Sequence, residues 1–383
     1  MPIKDFLTII YTTILTISAL HMPQPLLPLM GNSFKVEMDT ISLIMSATFI
    51  PLTVIPVISG ILLNFLPPKK MILVAATLHS FVVFSISMAE NVYLVIVFRF
   101  IEGFLISAIL TSNTTYISLK SVKERIPVFM SYYIAFTTIG GLSGRIFGSI
   151  IANYFGWKIC FQIMSISLLL VLPIVYYLME DLKLPKIQQR NYFSFKNFKS
   201  VVFDKRNFCI YTAVFSLFFV FSGITNFLPF RIKSIHKEAS EMLIGFIYSG
   251  YITGIFMSFI ATKIIKLIGN ERKTMLVGFS AYGFFLLIMS LPDIFLIFIT
   301  MFGFCSGMFL VHSVASGYLN KITTMQKSLV NGAYIAFYYS GGVVGSYLPG
   351  IVYKNFGWQS FIISLFILVV AGFFMVTKLS DHA

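Results

Sequence analysis

Apolar windows of about 20 residues recur along the whole chain, each long enough to cross the hydrocarbon core of a bilayer as a helix. They cover approximately 7–29, 41–63, 71–89, 92–114, 127–152, 157–179, 207–230, 242–266, 274–291, 294–318, 329–352 and 358–378. Lipid offers the backbone no hydrogen bonds, so each window reads as a helix. The prediction is an all-α membrane protein with twelve transmembrane helices. Composition agrees. Of 383 residues, 57% are hydrophobic and 11% charged, too few charges to cover a soluble surface. The first window exceeds the apolar part of a signal peptide and others follow directly, so it reads as a retained span.

Most joints between windows are short. One is long and basic, Glu180 to Asn207, and divides the chain into a bundle over 1–179, a cytoplasmic linker over 180–206 and a second bundle over 207–383. With the N-terminus in the cytoplasm, most Lys and Arg fall on that side. Lys35, Lys158, Arg231, Lys233, Lys237 and Lys354 fall on the other, and Arg99 and Arg145 lie within spans. Positive charge in short loops marks the cytoplasmic face, so both termini are placed there. The formal net charge of +14 is then a topology signal, and no nucleic-acid partner is expected. Cys160, Cys209 and Cys305 lie in or beside apolar segments without metal-ligand spacing, so neither a disulfide framework nor a metal site is expected.

The two halves repeat. Ser131–Phe161 and Gly332–Ile362 share YIAF, a glycine pair, a further glycine and FGW at an offset of 201. The two tryptophans, Trp157 and Trp358, coincide, and the same offset carries Pro28 onto Pro229. Parallel repeats of six spans are one plan on which secondary transporters are built. The chain resembles the major facilitator superfamily, in its arabinose-efflux-permease-like, drug:proton antiporter branch. The resemblance rests on MPQPLLP (Met22–Pro28), RFIEG (Arg99–Gly103), GGLSGR (Gly140–Arg145) and HSVAS (His312–Ser316).

That resemblance implies two six-helix bundles around a central cavity, alternating between inward-open and outward-open states. It also implies a bacterial cytoplasmic (inner) membrane location, and a monomer is expected. One family signature departs from its pattern. The loop between spans 2 and 3 reads GILLNFLPPKK, with Asn64 where an acid is expected and Pro67 in place of a glycine. Gly60, Asn64, Lys69 and Lys70 are the candidate gating loop. Asn64 can cap a helix but cannot hold an ion pair, so a cytoplasmic lock must be weaker or built differently.

Small residues let helices approach in lipid, where hydrophobic drive between them is slight. Gly140, Gly141 and Gly144 in span 5, with Gly341, Gly342 and Gly345 in span 11, are therefore packing surfaces. They are also candidates for an interdomain seam that slides during transport. Arg145 must face protein or water, since a charge at membrane depth costs about 2.5–3.5 kcal/mol by insertion scales. Counting from the outer ends places Gln24, Arg99, Glu102 and Arg145 in one layer. Glu102 lies one turn from Arg99 on the same face. The expectation is a buried Arg99–Glu102–Arg145 cluster, either a proton-coupling site or a static ion-pair lock; unrelated placements stay open.

His21, Gln24, Asn226 and His312 are the substrate-cavity candidates, each with helix-to-helix hydrogen bonding as the alternative. His79 and His236 receive no role. No Ser/His/Asp arrangement, HExxH motif or phosphate loop appears, so an enzyme and a cofactor are not expected. The reading is a secondary transporter using a proton or substrate gradient. It exports a small organic molecule; the alternative is an uptake symporter or uniporter for a small solute, anionic or not. A transport-inactive sensor or scaffold is the reading from another class.

Overall fold

The computed structural model of the protein describes residues 1–62, 66–182, 202–323 and 327–379. Every regular element among them is helical. In chain order these are α1 (Ile3–His21), a 3-10 turn (Gln24–Leu26), α2 (Leu27–Phe34), α3 (Met38–Leu62), α4 (Pro68–Met88), α5 (Val92–Lys120), α6 (Ile126–Phe155) and α7 (Trp157–Leu178). Then follow α8 (Lys205–Ile235), α9 (Glu241–Ile247), α10 (Tyr251–Ile268), α11 (Glu271–Ile288), α12 (Ile294–Ile322), α13 (Lys327–Gly345) and α14 (Leu348–Thr377). Nine helical stretches among the described residues are long and apolar enough to cross a membrane, and one of them, Leu329–Thr377, holds parts of both α13 and α14.

The helix boundaries follow local chemistry. Asn91 accepts from Leu94 N at 3.0 Å, Asn270 from Lys273 N at 2.8 Å and Asp293 from Leu296 N at 2.7 Å, each side chain capping otherwise orphaned amides. The two FGW sequences make the same turn. Gly156 and Gly357 have φ of 81° and 78°, a region open to glycine but strained for other residues. Each tryptophan then donates a hydrogen bond, Trp157 to Ser33 Oγ at 3.0 Å and Trp358 to the Met289 carbonyl at 2.8 Å.

The chain separates into two compact units. One comprises Met1–Glu37, Ala47–Arg190 and Ser240–Gly245; the other comprises Met38–Ser46, Asn191–Ala239 and Phe246–Ala383. Both carry large exposed apolar side chains such as Phe81, Phe147, Phe256 and Ile367, a surface that lipid solvates and water does not.

The glycines expected at an interdomain seam make their close approaches inside the units instead. A Cβ on Gly140 would lie 2.8 Å from the Ile14 carbonyl oxygen, and one on Gly144 would lie 2.6 Å from Ser18 Cα and closer still to its carbonyl oxygen. In the other unit Gly341 meets the backbone of Phe215 and Gly345 that of Phe219. Both contacts repeat at the offset of 201 (Ile14 to Phe215, Ser18 to Phe219). These glycines let α6 close onto α1 and α13 onto α8, backbone against backbone.

Candidate functional site

The first span is broken by its prolines. α1 ends at His21, and Pro23 cannot donate to the carbonyl of Ala19, one helical turn back. Arg99 of α5 supplies the missing donors. Its Nη1 lies 3.3 Å from the Ala19 oxygen and its Nη2 lies 2.7 Å from the Leu20 oxygen. The Arg of the RFIEG sequence therefore stabilises a helix end on a neighbouring segment. The glycine of the same sequence seats α5 on α3, since a Cβ at Gly103 would meet the Thr48 carbonyl oxygen and lie 3.0 Å from the Pro51 ring.

Arg99 also holds Glu102. Nη1 donates to Oε2 at 2.6 Å, and both side chains are fully buried. The second carboxylate oxygen faces α4, where His79 Nε2 lies 3.1 Å from Oε1. With the carboxylate ionised, Nε2 is the donor. His79 is fully buried, and its Nδ1 makes no hydrogen bond. Leaving a polar nitrogen unpaired at this depth is costly, so the imidazole is kept there against a desolvation penalty.

Arg145 of α6 does not complete an ion-pair triad with these groups as expected; its contacts lie across the break in the first span. Its Nε donates to Gln24 Oε1 at 2.8 Å, its Nη1 to the Gly141 oxygen at 2.7 Å, and its Nη2 bonds Gln24 Oε1 as well as His21 Nδ1, the latter at 3.0 Å. Arg145 is buried, so its charge does not reach the membrane surface. The predicted layer thus resolves into two groups, Arg99–Glu102–His79 and Arg145–Gln24–His21, joined through residues 19–24 of the broken span. His21 is half-buried and Gln24 fully buried. His79 is the member that sequence reasoning missed. It lies nine residues from the C-terminal end of α4, about 14 Å, close to the depth of Glu102, ten residues from the N-terminal end of α5, about 15 Å. A depth count applied to every titratable residue in a span would have found it.

The second unit repeats the break with the roles exchanged. Here the first helix, α8, is continuous through Pro229, and the interruption falls at Ser346–Tyr347, where α13 gives way to α14. The Gly350 amide turns to the Tyr347 oxygen at 2.9 Å, and the Ser346 oxygen accepts from Asn226 Nδ2 at 3.2 Å instead. Asn226 therefore joins two helices, the alternative to substrate contact. Ser346 is the counterpart of Arg145 at the offset of 201. For α5 and α12 the capping residues set the offset at 202 (Asn91 to Asp293), which carries Arg99 onto Met301 and Glu102 onto Phe304. Both counterparts are buried and apolar. His312 is half-buried, with Nδ1 3.0 Å from the Tyr334 hydroxyl.

At the candidate gating loop, Lys69 forms an ion pair with Asp181 at 3.8 Å and lies over the Tyr176 ring at 5.4 Å. Lys70 is exposed and Gly60 lies in α3. Asn64 is outside the described residues. Beyond Lys69, Lys120 pairs with Glu180, holding the Glu180 carboxyl below the usual carboxylate range, chiefly by hydrogen bonding.

Comparison with known proteins places this arrangement in a family. The chain is 27% identical over 365 residues to an uncharacterized transporter of Buchnera aphidicola subsp. Schizaphis graminum, covering 94% of this chain and 87% of that protein. It is 24% identical over 371 residues to the inner membrane transport protein YnfM of Escherichia coli K12, covering 95% and 87%. The crystal structure of the nucleoside transporter NupG superposes with a TM-score of 0.79 at 14% identity, covering 97% of this chain and 98% of that one, a likeness of fold. The profile of the Major Facilitator Superfamily matches residues 9–270 and 232–382. The protein is therefore a multi-pass membrane transporter, not an enzyme, and belongs to the Major Facilitator Superfamily.

Proposed function

We propose that the chain is a proton-coupled secondary transporter that exports a small organic molecule across a bacterial cytoplasmic membrane by alternating access. Its twelve spans form two six-helix bundles, 1–179 and 207–383, joined by the cytoplasmic linker 180–206, with both termini cytoplasmic and the protein a monomer. The observation that carries the reading is the buried polar chain running from His79 through Glu102 and Arg99 to the broken first span and on to Arg145. Ionisable groups at membrane depth are costly and mark ion or substrate pathways in transporters. Glu102 is the group through which a proton acts, and Arg145, Gln24 and His21 are the polar contacts for substrate.

A second reading is uptake of a small anionic solute. It is favoured by the presence of two guanidinium groups and one carboxylate in this network. Flux in inverted and right-side-out vesicles separates the two by sign, using compounds chosen by resistance screening of deletion and overexpression strains. Glu102→Gln tests the coupling: loss of gradient dependence is expected, and undiminished dependence removes Glu102 from the mechanism.

A further inference from the structure

The second unit carries a face of different chemistry from the charged network of the first, and its interpretation rests on the reading of the chain as a transporter of small organic molecules. His312 of α12 is held by Tyr334 of α13, whose hydroxyl lies 3.0 Å from Nδ1 and 3.1 Å from the His312 carbonyl oxygen. Tyr334 is buried, whereas His312 is half-buried, and its Nε2 makes no hydrogen bond among the described residues. Because the Tyr334 hydroxyl has two acceptors in reach, it can donate to Nδ1 or to the carbonyl. Nε2 accordingly presents either a donor or a lone pair.

One turn further along α13, the Tyr338 ring stands 4.6 Å from His312 and stacks on Phe218 of α8 at 4.1 Å and 10°. Tyr339 packs edge-on at 5.4 Å from Tyr338 and 5.9 Å from Phe218. The wall is fixed in place by Gly342, on which a Cβ would lie 2.6 Å from Phe218 Cδ1. Tyr338 and Tyr339 are half-buried, and an ionisable side chain such as His312 within a span faces the bundle interior or an aqueous cavity rather than acyl tails. No Asp, Glu, Lys or Arg occurs from Asn207 to Phe230 on α8, from Ile294 to Asn320 on α12 or from Ser328 to Gly345 on α13.

We infer that the face formed by His312, Tyr338 and Tyr339 binds an uncharged planar aromatic compound whose ring edge carries a hydrogen-bonding group. The rings supply stacking surface, His312 Nε2 reads the edge group, and a carboxylate there would lose its hydration with no cation on these stretches of α8, α12 and α13 to replace it.

The test is saturation-transfer NMR with the full chain in lipid nanodiscs and three probes, 2-naphthamide, 2-naphthoate and the saturated decahydronaphthalene-2-carboxamide, with naphthalene itself as a reference compound. The amide should bind about fivefold or more tighter than the saturated analogue and about tenfold tighter than the anion. Tyr338→Ala should remove the aromatic preference and Tyr338→Phe should keep it. His312→Phe should keep naphthalene binding while erasing the advantage of 2-naphthamide over naphthalene itself. Phe81→Ala, at an exposed apolar position of the other unit, serves as a control that leaves these preferences unchanged. Equal binding of all three probes, no binding of the amide, or preferences unmoved in Tyr338→Ala would overturn the inference. Vesicle flux is read separately. Flux of a non-aromatic compound with no naphthamide binding leaves the transporter reading standing, whereas probe binding without flux of any compound removes that reading and leaves the site.

Discussion

Nε2 of His79 lies 3.1 Å from Oε1 of Glu102, so the carboxylate that Arg99 grips from one side is gripped from the other by an imidazole on a different helix. The two donors fix its orientation, and removing the acid leaves a buried guanidinium whose charge nothing in that group offsets. Glu102→Gln is expected to lower unfolding stability in detergent by about 3 kcal/mol, as for other broken buried pairs. His79→Leu, which removes one hydrogen-bond partner of the carboxylate and an orphaned nitrogen together, should cost less than about 1.5 kcal/mol. Thermal unfolding of the two variants side by side checks the order.

Pro23→Ala restores the amide that the Ala19 carbonyl lacks. The new N–H competes with Arg99 for that oxygen, and the break in the first span closes toward a continuous helix. Stability should change by no more than about 1 kcal/mol, yet transport should fall steeply, because Gln24 and His21 turn away from Arg145. Wild-type flux together with an unchanged Arg99 environment would show that the break has no part in transport.

Arg145→Lys is expected to behave like a loss of function. A lysine offers one point charge and cannot span Gln24, His21 and the Gly141 carbonyl as the planar guanidinium does. The measurement is initial-rate flux in vesicles, with surface expression confirmed on blots; retention of more than half of wild-type flux would exclude the fork geometry as the requirement.

Glycine substitutions separate close packing from backbone strain. Gly144→Ala and Gly345→Ala drive a methyl into the backbone of Ser18 or Phe219 and should each destabilise by about 1–3 kcal/mol. Gly156→Ala meets open space but sits at φ 81°, and should cost about 1–2 kcal/mol. Gly317→Ala meets nothing within 4 Å and should be neutral or stabilise by about 0.5–1 kcal/mol.

Just beyond the end of α7, the Glu180 carboxyl is held below its ordinary value by Lys120. A depressed carboxylate contributes stability above its unfolded value of 4.5, and that contribution fades as pH falls through the lower folded value. Hydrogen exchange at the Glu180 amide, which donates to the Tyr116 hydroxyl at 3.1 Å, should therefore quicken, after correction for intrinsic rates, only below about pH 4.5. Glu180→Gln should remove the step.

The helices and the repeat were legible because lipid leaves so few alternatives: windows of the right length must be helices, and one offset aligned both Trp residues. Arg99 and Glu102 were placed together because one turn of helix joins them. Arg145 was misassigned because depth alone cannot tell which neighbours share a layer; direction around the helix decides that, and it depends on how α6 packs on α1. The spacing of the glycines marks a surface of small residues, but which helix that surface touches is set by the tertiary fold. Asn226 looked like a substrate contact because nothing in the sequence announces that α13 breaks at Ser346 and leaves a carbonyl to be satisfied.

The contacts of Arg99 and Glu102 have an order in time as well as in space. Ala19, Leu20 and His79 all precede α5 in the chain, so every one of those partners has left the ribosome before the charged helix does. The costliest segment of the protein can therefore dock on finished neighbours as it enters the bilayer. The contacts of His21 and Gln24 with Arg145 have the opposite history, since α6 follows both residues in the chain. The guanidinium contacts of the first unit are thus closed only when α6 has been made.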